Sequence, residues 1–345
     1  MSYRSVQLYL RTDIPQEYVY IKYTYSLLLS ILQKGVKYNV MVVDFIVPYV
    51  DNTDPAWLSS YYQATNINTL KHRSGINSPR FRSFDMLKYI FRSIEKHFTF
   101  PYRIILVVSS MSQVPAWVNT SKVRIVTHEE YIPQEFLPTF NSCTIEAFLP
   151  LIPDLNDFIL YSNDDILFMN DINFQDCFDP HSLLPKLHFS VIEKYHECNI
   201  FRCQCRSNLE LLNTKLHCKR PFPINGIIKP QHNVIPMLKS TLNTVYHMYK
   251  EDIPEHISLF RERKNINQYF YSLYHYYTDA YTAGPMSNSY VSLTVGIPRT
   301  VKVIERCTAC SLCINDGVGI DYSSAQRAIS RALELKFPTP SSFEL

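Results

Sequence analysis

The residue sequence predicts an α/β fold, with a mostly parallel sheet in its first half and a more helical C-terminal part. The first observation is an apolar run at residues 40 to 47 that does not alternate with polar residues, as is typical of a strand buried on both faces. The second is an amphipathic helical pattern at 84 to 97, followed by a strand-like run at 103 to 108. Further strand-like runs at 123 to 126 and 158 to 161 continue this alternation, which favours a parallel sheet.

The chain is expected to divide into three parts. Residues 1 to 38 are interpreted as an N-terminal helical extension, because apolar residues recur at helical spacing between 17 and 35. Residues 39 to 180 form the predicted α/β part, and residues 181 to 345 form the helical part that completes the site. The helical stretches expected in this last part lie at residues 207 to 216, 234 to 249, 265 to 277 and 321 to 335.

Composition and charge exclude several classes of protein. With 345 residues, of which 46% are apolar, the chain can bury a large core without disulfides, which excludes a mainly disordered protein. The net charge of +3 is small and dispersed, so we expect no nucleic-acid partner. These features leave the oligomeric state open.

Neither a secretory signal nor a membrane anchor is predicted. The first 16 residues carry charges and a proline instead of an apolar core. The most apolar run, residues 40 to 50, is interrupted by Asp44 and Pro48 and is shorter than the roughly 20 residues of a helical span. We therefore expect a cytoplasmic protein and leave peripheral association with a membrane open.

The cysteines form one pattern that needs an explanation. They number nine, and an odd number in a chain without a signal peptide favours reduced thiols. Cys307, Cys310 and Cys313 form a C-x2-C-x2-C run, whose spacing suits zinc or an iron–sulfur cluster. A fourth ligand is not evident, so ordinary buried or free thiols are the favoured interpretation and a metal site is the alternative.

Acidic side chains follow two of the predicted strands. Asp164 and Asp165 come directly after the strand at 158 to 161, and Asp51 comes shortly after the strand at 40 to 47. The carboxyl ends of parallel strands form a ligand-binding edge, so we expect these acids to lie there. Adjacent carboxylates supply the oxygen ligands that Mg2+ or Mn2+ prefers. A helix cap or a turn is the alternative interpretation of the Asp pair.

Several basic and polar residues are further candidates. Arg80 and Arg82 stand just before the helix at 84 to 97, where guanidinium groups and helix amides bind phosphate well; solvated surface arginines are the alternative. His232 is one of 11 histidines, and in isolation a structural or surface role explains it better than catalysis. In isolation, structural roles also explain Arg261, Asn315 and Asp316.

Four segments of the chain form a joint pattern. They are residues 44 to 57, 80 to 165, 232 to 277 and 313 to 344, and they include the motifs Arg80-Phe81-Arg82, Tyr161-Ser162-Asn163-Asp164-Asp165 and Cys313-Ile314-Asn315-Asp316. In this order they resemble the Stealth family, which includes bacterial capsule polymerases and the animal GlcNAc-1-phosphotransferase that tags lysosomal enzymes. The chain departs from the usual family residues at Pro48, Cys143, Pro150 and Asn265.

The resemblance implies a Rossmann-like fold of the glycosyltransferase A type. It also implies an enzyme that transfers hexose-1-phosphate from a UDP-sugar, such as UDP-GlcNAc, to a hydroxyl of an acceptor glycan or glycoconjugate, with UMP as leaving group. Such an enzyme would act in the synthesis of a polysaccharide such as a capsule, and residues 39 to 180 would bind its nucleotide sugar. Bacterial relatives act in the cytosol at the inner membrane, whereas the animal relative is luminal, so the secretory-pathway lumen is the alternative compartment.

The resemblance further implies roles for the candidate residues. His232 would take the acceptor proton, with Asp165 as the alternative base. Asp164, Asp165 and Asp316 would hold Mg2+ or Mn2+, and Arg261 would contact phosphate. The residues expected to bind the nucleotide sugar are Asp51, Asp54, Arg80, Arg82, Asp85 and Asn315.

Two other functions are kept as alternatives. A conventional metal-dependent glycosyltransferase would use the same sheet and the same Asp pair but would release UDP instead of UMP. A non-catalytic carbohydrate-binding relative would keep the fold without turnover. The joint presence of the candidate groups argues against this second alternative; they are Asp164, Asp165, His232, Arg261 and Asp316.

Overall fold

The structure, a computed structural model, describes residues 41 to 65, 81 to 192, 200 to 216, 221 to 223, 226 to 284 and 286 to 345. The predicted N-terminal extension at residues 1 to 38 lies outside the described residues, and so does Arg80. By contacts between Cα atoms the chain separates into the units Met1–Met41 and Val42–Leu345. All the described helices and strands belong to the second unit.

The strands of the described residues form three sheets. They are β1 (Val43–Pro48), β2 (Tyr102–Val108), β3 (Arg124–Thr127), β4 (Phe158–Tyr161), β5 (Ile166–Phe168), β6 (Phe189–Ile192), β7 (Ile227–Pro230), β8 (Ile235–Leu238), β9 (Asn288–Ser292) and β10 (Ser311–Asn315). The central sheet has the order β3-β2-β1-β4-β8, in which β1 to β4 are parallel and β8 is antiparallel to β4. This arrangement confirms the predicted α/β fold with a mostly parallel sheet.

The helices of the described residues surround and extend this sheet. They are α1 (Pro55–Ala64), α2 (Met86–His97), α3 (Ser142–Ala147), α4 (Phe174–Cys177), α5 (Ile200–Lys215), α6 (Lys239–Tyr249), α7 (Tyr269–Tyr277), α8 (Ile297–Arg306) and α9 (Tyr322–Lys336). α2 packs on β5, α5 packs on α7, and α8 packs on α9. None of the helices in the described part of the chain has the length and apolar character that crossing a bilayer requires.

One predicted helix was wrong over its first residues. A helix was expected from residue 234 to 249, but the structure has β8 at Ile235–Leu238, and α6 begins only at Lys239. All four residues of β8 are buried, and they pair with β4. The periodicity of a short apolar run fits a buried strand as well as a turn of helix, so it does not distinguish the two.

Two smaller sheets link distant parts of the sequence. In the sheet β5-β10-β9, β10 pairs antiparallel with β5 and parallel with β9, while β6 and β7 form a separate pair. Strands from before residue 180, namely β4 and β5, pair with β8 and β10 from after it. Strands from the two sides of residue 180 therefore share the same sheets. The predicted boundary between an α/β part and a helical part at this residue stays a prediction.

A buried carboxylate in β1 ties the central strands together. Asp44 has no exposed surface, and its two oxygens accept hydrogen bonds from Arg103 Nε and Nη2, each at 2.8 Å. They also accept from the backbone N of Asn156 at 2.6 Å and from its Nδ2 at 2.8 Å. Arg103 lies opposite Asp44 in β2, and Asn156 lies just before β4. The carboxylate therefore fixes β1 relative to both neighbouring strands.

Asp44→Asn is expected to lower the free energy of unfolding by about 2 to 4 kcal/mol. Removing one charge of a buried pair costs about 3 to 5 kcal/mol, and the cost is smaller here because the Arg103 side chain is one-third exposed. Urea unfolding measures the change. Asp171→Asn is the control, since the Asp171 side chain is 74% exposed beside His97 and its loss costs about 1 kcal/mol or less. Equal effects of the two substitutions would contradict the role given to Asp44.

Candidate active site

The predicted acidic residues gather where β1 and β4 end. Asp164 and Asp165 lie in the turn between β4 and β5, and β4 is the parallel neighbour of β1, which is followed by Asp51. Between them lies Tyr49, whose pKa is raised first by burial and then by the charges of Asp51, Asp164 and Asp85. Three carboxylates from separate parts of the chain therefore act on one phenol, as expected for the carboxyl edge of a parallel sheet.

Asp165 also meets two residues from the C-terminal half. One ligand atom each of Asp165, His232 and Cys313 lies within 4.8 Å of the other two. Pairing of β5 with β10 sets Cys313 opposite Ile166, so the Cys313 thiol reaches Asp165 Oδ2 and donates to it at 3.3 Å. Asp165 Oδ1 is buried and has no hydrogen-bond partner among the described residues. An unpaired buried carboxylate oxygen is costly and fits a bound cation.

Desolvation and neighbouring charges shift the pKa values at this site. The pKa of Asp164 is raised to about 7, first by desolvation and then by the Asp165 charge; Asp164 is the more exposed of the two, so water moderates this shift. Desolvation also raises the pKa of Asp165, against the effect of His232. It lowers the pKa of His232, against the effect of Asp165. Neutral imidazole is therefore favoured near pH 7, and a cation would favour both carboxylates in their charged form.

These residues fit a divalent cation. The two carboxylates supply oxygen ligands that suit Mg2+ or Mn2+, whereas the combination of Asp165 with His232 and Cys313 suits a softer ion such as Zn2+. Within the described ranges the one group of three or more potential ligands is that of Asp165, His232 and Cys313, and Asp164 lies outside this group. Cys307 and Cys310 lie outside it and are free thiols, so the C-x2-C-x2-C run does not form a ligand group in the structure.

His232 is held in place by hydrogen bonds on both its ring and its backbone. Its Nδ1 lies 3.1 Å from Tyr269 Oη, and burial holds the pKa of Tyr269 well above its usual range, so Tyr269 stays a phenol. The backbone oxygen of His232 accepts from Asn288 Nδ2 at 2.5 Å. Ser311 Oγ in turn bridges Asn288 and Asn233. With the ring proton on Nδ1 and donated to Tyr269, Nε2 is left to accept a proton.

Arg82 and Asp316 form a two-pronged ion pair at the border of the acidic cluster. Arg82 Nε donates to Asp316 Oδ2 and Nη2 donates to Oδ1, each at 2.8 Å, and Nη2 also donates to the Gly317 oxygen at 3.0 Å. The guanidinium carbon lies 5.3 Å from the ring centre of Tyr322. Asp316, which was expected to hold the metal, thus has Arg82 as its partner and lies outside the ligand group around Asp165. Its metal role stays a prediction.

Asp54 and Asp51 lie on the loop after β1 and differ in their surroundings. Asp54 caps α1 by accepting from the Ala56 backbone N at 2.8 Å, and it also accepts from Ser112 and Gln113. Burial opposes its charge, but these hydrogen bonds outweigh burial and lower the pKa of Asp54. Asp54 is therefore fully engaged as a helix cap. In contrast, the hydrogen bonds that described residues donate to the Asp51 side chain all come from Thr53 and end on Oδ1.

The remaining predicted residues lie around this edge. Asp85 precedes α2 with a left-handed φ of 58°, and its charge acts on Tyr49 and Tyr322. Asn315 ends β10, opposite Ser292 of β9. Arg261 donates from Nε and Nη2 to Gln204 Oε1 at 2.9 and 2.7 Å. Arg261 therefore lies in a loop that contacts α5, and its charge acts on the buried Glu146 described next.

Sequence reasoning gave no role to Glu146, which lies beneath the end of β4. It is buried and accepts from Tyr161 Oη at 3.1 Å and from the Gln268 backbone N at 2.7 Å. Burial raises its pKa to about 7, against the charge of Arg261. Glu146 therefore joins β4, α3 and the start of α7. A single acid inside the otherwise uncharged stretch 142 to 153 is the sequence signal that marks it.

Comparisons with known proteins show which proteins the chain is similar to. A family model described as Stealth protein CR2, conserved region 2, matches residues 80–185. The chain is 28% identical over 336 residues to the capsular polysaccharide phosphotransferase WcwK of Streptococcus pneumoniae, covering 88% of this chain and 98% of that protein. It is 27% identical over 337 residues to the receptor polysaccharide phosphotransferase WefC of Streptococcus gordonii, covering 88% and 99%. It is 24% identical over 265 residues to the capsular polysaccharide phosphotransferase LcbA of Neisseria meningitidis, covering 70% and 66%.

The α/β fold, the acidic strand ends and these matches define an enzyme of the transferase class. These matches support the resemblance to the Stealth family that the order of the four segments predicted. The matched region, residues 80–185, contains Arg82, Asp85 and the Asp164-Asp165 pair, whereas Asp51 and His232 lie outside it.

Glu146→Gln is expected to change how stability depends on pH. The folded protein raises the pKa of Glu146 from 4.5 to about 7, so the folded state binds the proton more tightly than the unfolded state. The protonated carboxyl therefore contributes about 3 kcal/mol to the free energy of unfolding. This contribution is fully present below pH 4.5 and is lost as pH rises through 7. From pH 5 to 8 the variant should gain stability relative to the wild type by up to this amount, as measured by urea unfolding.

The control for this experiment is Glu129→Gln, since Glu129 is exposed on the surface. Its pH profile of stability should run parallel to that of the wild type. Parallel profiles for Glu146→Gln as well would contradict the raised pKa of the buried carboxyl.

Proposed function

We propose that this chain transfers a sugar-1-phosphate from a UDP-sugar to a hydroxyl of an acceptor glycan, with release of UMP, in the synthesis of a polysaccharide. The observation that carries the proposal is the buried, unpaired Oδ1 of Asp165, next to Asp164 and within reach of His232. A diphosphate donor brings negative charge to a site already rich in carboxylates, so it requires a cation between them. The names of the matched streptococcal and neisserial phosphotransferases support the same class of reaction.

The proposed step takes place at phosphorus. The acceptor oxygen attacks the phosphorus that carries the sugar and forms a new P–O bond. The P–O bond to the bridging oxygen of UMP breaks, and UMP leaves with that electron pair. The acceptor proton passes to Nε2 of His232, whose neutral form is favoured near pH 7 because burial lowers its pKa.

Several residues of this chain would position the donor. Asp164 and Asp165 would hold Mg2+ or Mn2+, which when bound supplies the charge that neutralises the diphosphate. Arg82 would contact phosphate oxygens while Asp316 holds its guanidinium in a fixed plane. Asp51 and Asp85 lie on the same edge as the Asp pair and would contact the ribose or sugar hydroxyls. Arg261 and Arg80 stay candidates for phosphate contacts.

Two alternatives lead to different products. A glycosyltransferase would break the bond between the sugar and its phosphate and would release UDP. A carbohydrate-binding relative without turnover would release neither nucleotide. Action in the cytoplasm, with peripheral contact at a membrane where a polysaccharide is assembled, is the compartment that we propose for the chain.

The identity of the released nucleotide tests the proposal. With Mg2+, a panel of UDP-sugars and a mixture of acceptor oligosaccharides, UMP should accumulate and UDP should not, as separated by ion-exchange chromatography. Removal of the metal with EDTA should abolish release, and Mg2+ or Mn2+ should restore it. Release of UDP would establish the glycosyltransferase alternative, and binding of UDP-sugar without release of either nucleotide would establish the non-catalytic one.

His232→Gln is expected to lower kcat for UMP release by about 10²- to 10⁴-fold, because a positioned base contributes that much to proton transfer. Tyr269→Phe removes the hydrogen bond to His232 Nδ1, together with one to Gln268, and leaves the imidazole in place, so it should cost much less. Calorimetry should find UDP-sugar binding retained in both variants. Near-normal kcat in His232→Gln would rule out His232 as the base and would turn attention to Asp165, the alternative.

A further inference from the structure

A wide basic groove lies between β9 and α8. Its volume is about 850 Å3, and its lining includes Asn288 and Ser289 of β9 and three basic residues of α8. These are Arg299, Lys302 and Arg306, which are all exposed. Their spacing of three and four residues sets them along one face of the helix.

The charge of this groove is of one sign. None of the residues that line it is acidic, although Glu305 stands on the same helix outside the lining. In the ion pairs of the described residues, Arg299, Lys302 and Arg306 have no carboxylate partner. Thr308, Ser289 and Asn288 add hydrogen-bonding groups to the lining. A concave surface with three unneutralised cations and several polar groups suits an anionic ligand that carries hydroxyls.

The groove continues into the candidate active site through β9. Asn288 lines the groove, and its Nδ2 also donates to the backbone oxygen of His232. Two residues further along the strand, the ring of Tyr290 lies 6.2 Å from the ring of His232, and Tyr290 is 54% exposed. A chain bound in the groove would therefore run along β9 towards the proposed base.

We propose that this groove binds an acceptor glycan through phosphodiester groups that the glycan already carries. The inference rests on the proposed function, in which each transfer joins two sugars through a phosphodiester and adds one negative charge to the acceptor. Arg299, Lys302 and Arg306 bind these charges, while Ser289 and Thr308 bind sugar hydroxyls. The groove thereby favours an acceptor that has already been extended over a neutral one.

The shape of the groove favours a glycan over a membrane surface. A bilayer is flat on this scale and reaches protruding groups, whereas the polar groups here line a concavity. The exposed apolar residues nearby, Val295 and Val318, do not line the groove. Membrane binding is therefore treated as an outcome that would overturn the proposal.

Fluorescence anisotropy with the full chain tests this proposal without any turnover. The first probe is a labelled oligosaccharide whose sugars are joined by three phosphodiesters, and the second is a neutral oligosaccharide of equal length. The groove variant is Arg299→Gln, Lys302→Gln and Arg306→Gln combined. The control variant, with the same change in net charge on exposed residues elsewhere, is Lys122→Gln, Lys250→Gln and Arg331→Gln combined.

The wild type should bind the phosphodiester probe at least about tenfold more tightly than the neutral probe, since several charge contacts add together. Raising the ionic strength should reduce this preference. The groove variant should lose it, the control variant should keep it, and thermal unfolding should show that both remain folded. Equal loss in both variants would mean a general charge effect, and an unchanged groove variant would mean that the phosphodiester binds elsewhere; each result overturns the proposal.

Two further measurements distinguish glycan binding in the groove from membrane contact and from the transfer reaction itself. Co-sedimentation with phosphatidylglycerol vesicles should be the same for the wild type and the groove variant. If the groove variant lost vesicle binding but kept the phosphodiester probe, the groove would be a membrane contact and the proposal would fail. If wild-type chain released no UMP from any donor but the probe preference still depended on the groove, the proposed function would fail while the binding site stood.

Discussion

The carboxylate of Asp44 is the constraint on which the geometry of this enzyme depends, because it joins three neighbouring segments at one buried point. Its oxygens accept from Arg103 in β2 and from Asn156 at the entrance to β4, so the parallel strands β1, β2 and β4 are held in one register. Asp51 follows β1, and Asp164 and Asp165 follow β4. The distance between the two acidic strand ends is therefore set by a charge buried at the opposite end of the same strands.

A second constraint follows from the first, since the strands bring several carboxylates to one edge with little positive charge to balance them. Arg82 balances Asp316, whereas desolvation raises the pKa of Asp165, and desolvation together with the Asp165 charge raises the pKa of Asp164. A bound cation stabilises such a site more than it would stabilise a site whose carboxylates are already paired with basic residues.

Local patterns predicted much of this structure, and contacts between distant residues account for what they missed. The strand at 158 to 161 and the Asp pair after it lie within a few residues of each other, and both were predicted correctly in place. The approach of Cys313 to Asp165 depends on pairing between β5 and β10, whereas the sequence spacing of Cys313 pointed only to Cys307 and Cys310 as its possible partners. Glu146 was given no role because its partners, Tyr161 and Gln268, come from other elements. β8 was taken for helix because only its pairing with β4 distinguishes the two.

The central claim is that bond breaking takes place at phosphorus and not at the sugar carbon. It is tested most directly with a UDP-sugar in which the oxygen between the sugar carbon and its phosphorus is labelled with ¹⁸O. The account predicts that the label passes into the glycan product, because the bond between the sugar carbon and that oxygen stays intact. Mass spectrometry that found the label in released UDP would contradict the account, since the oxygen would then have left with the nucleotide.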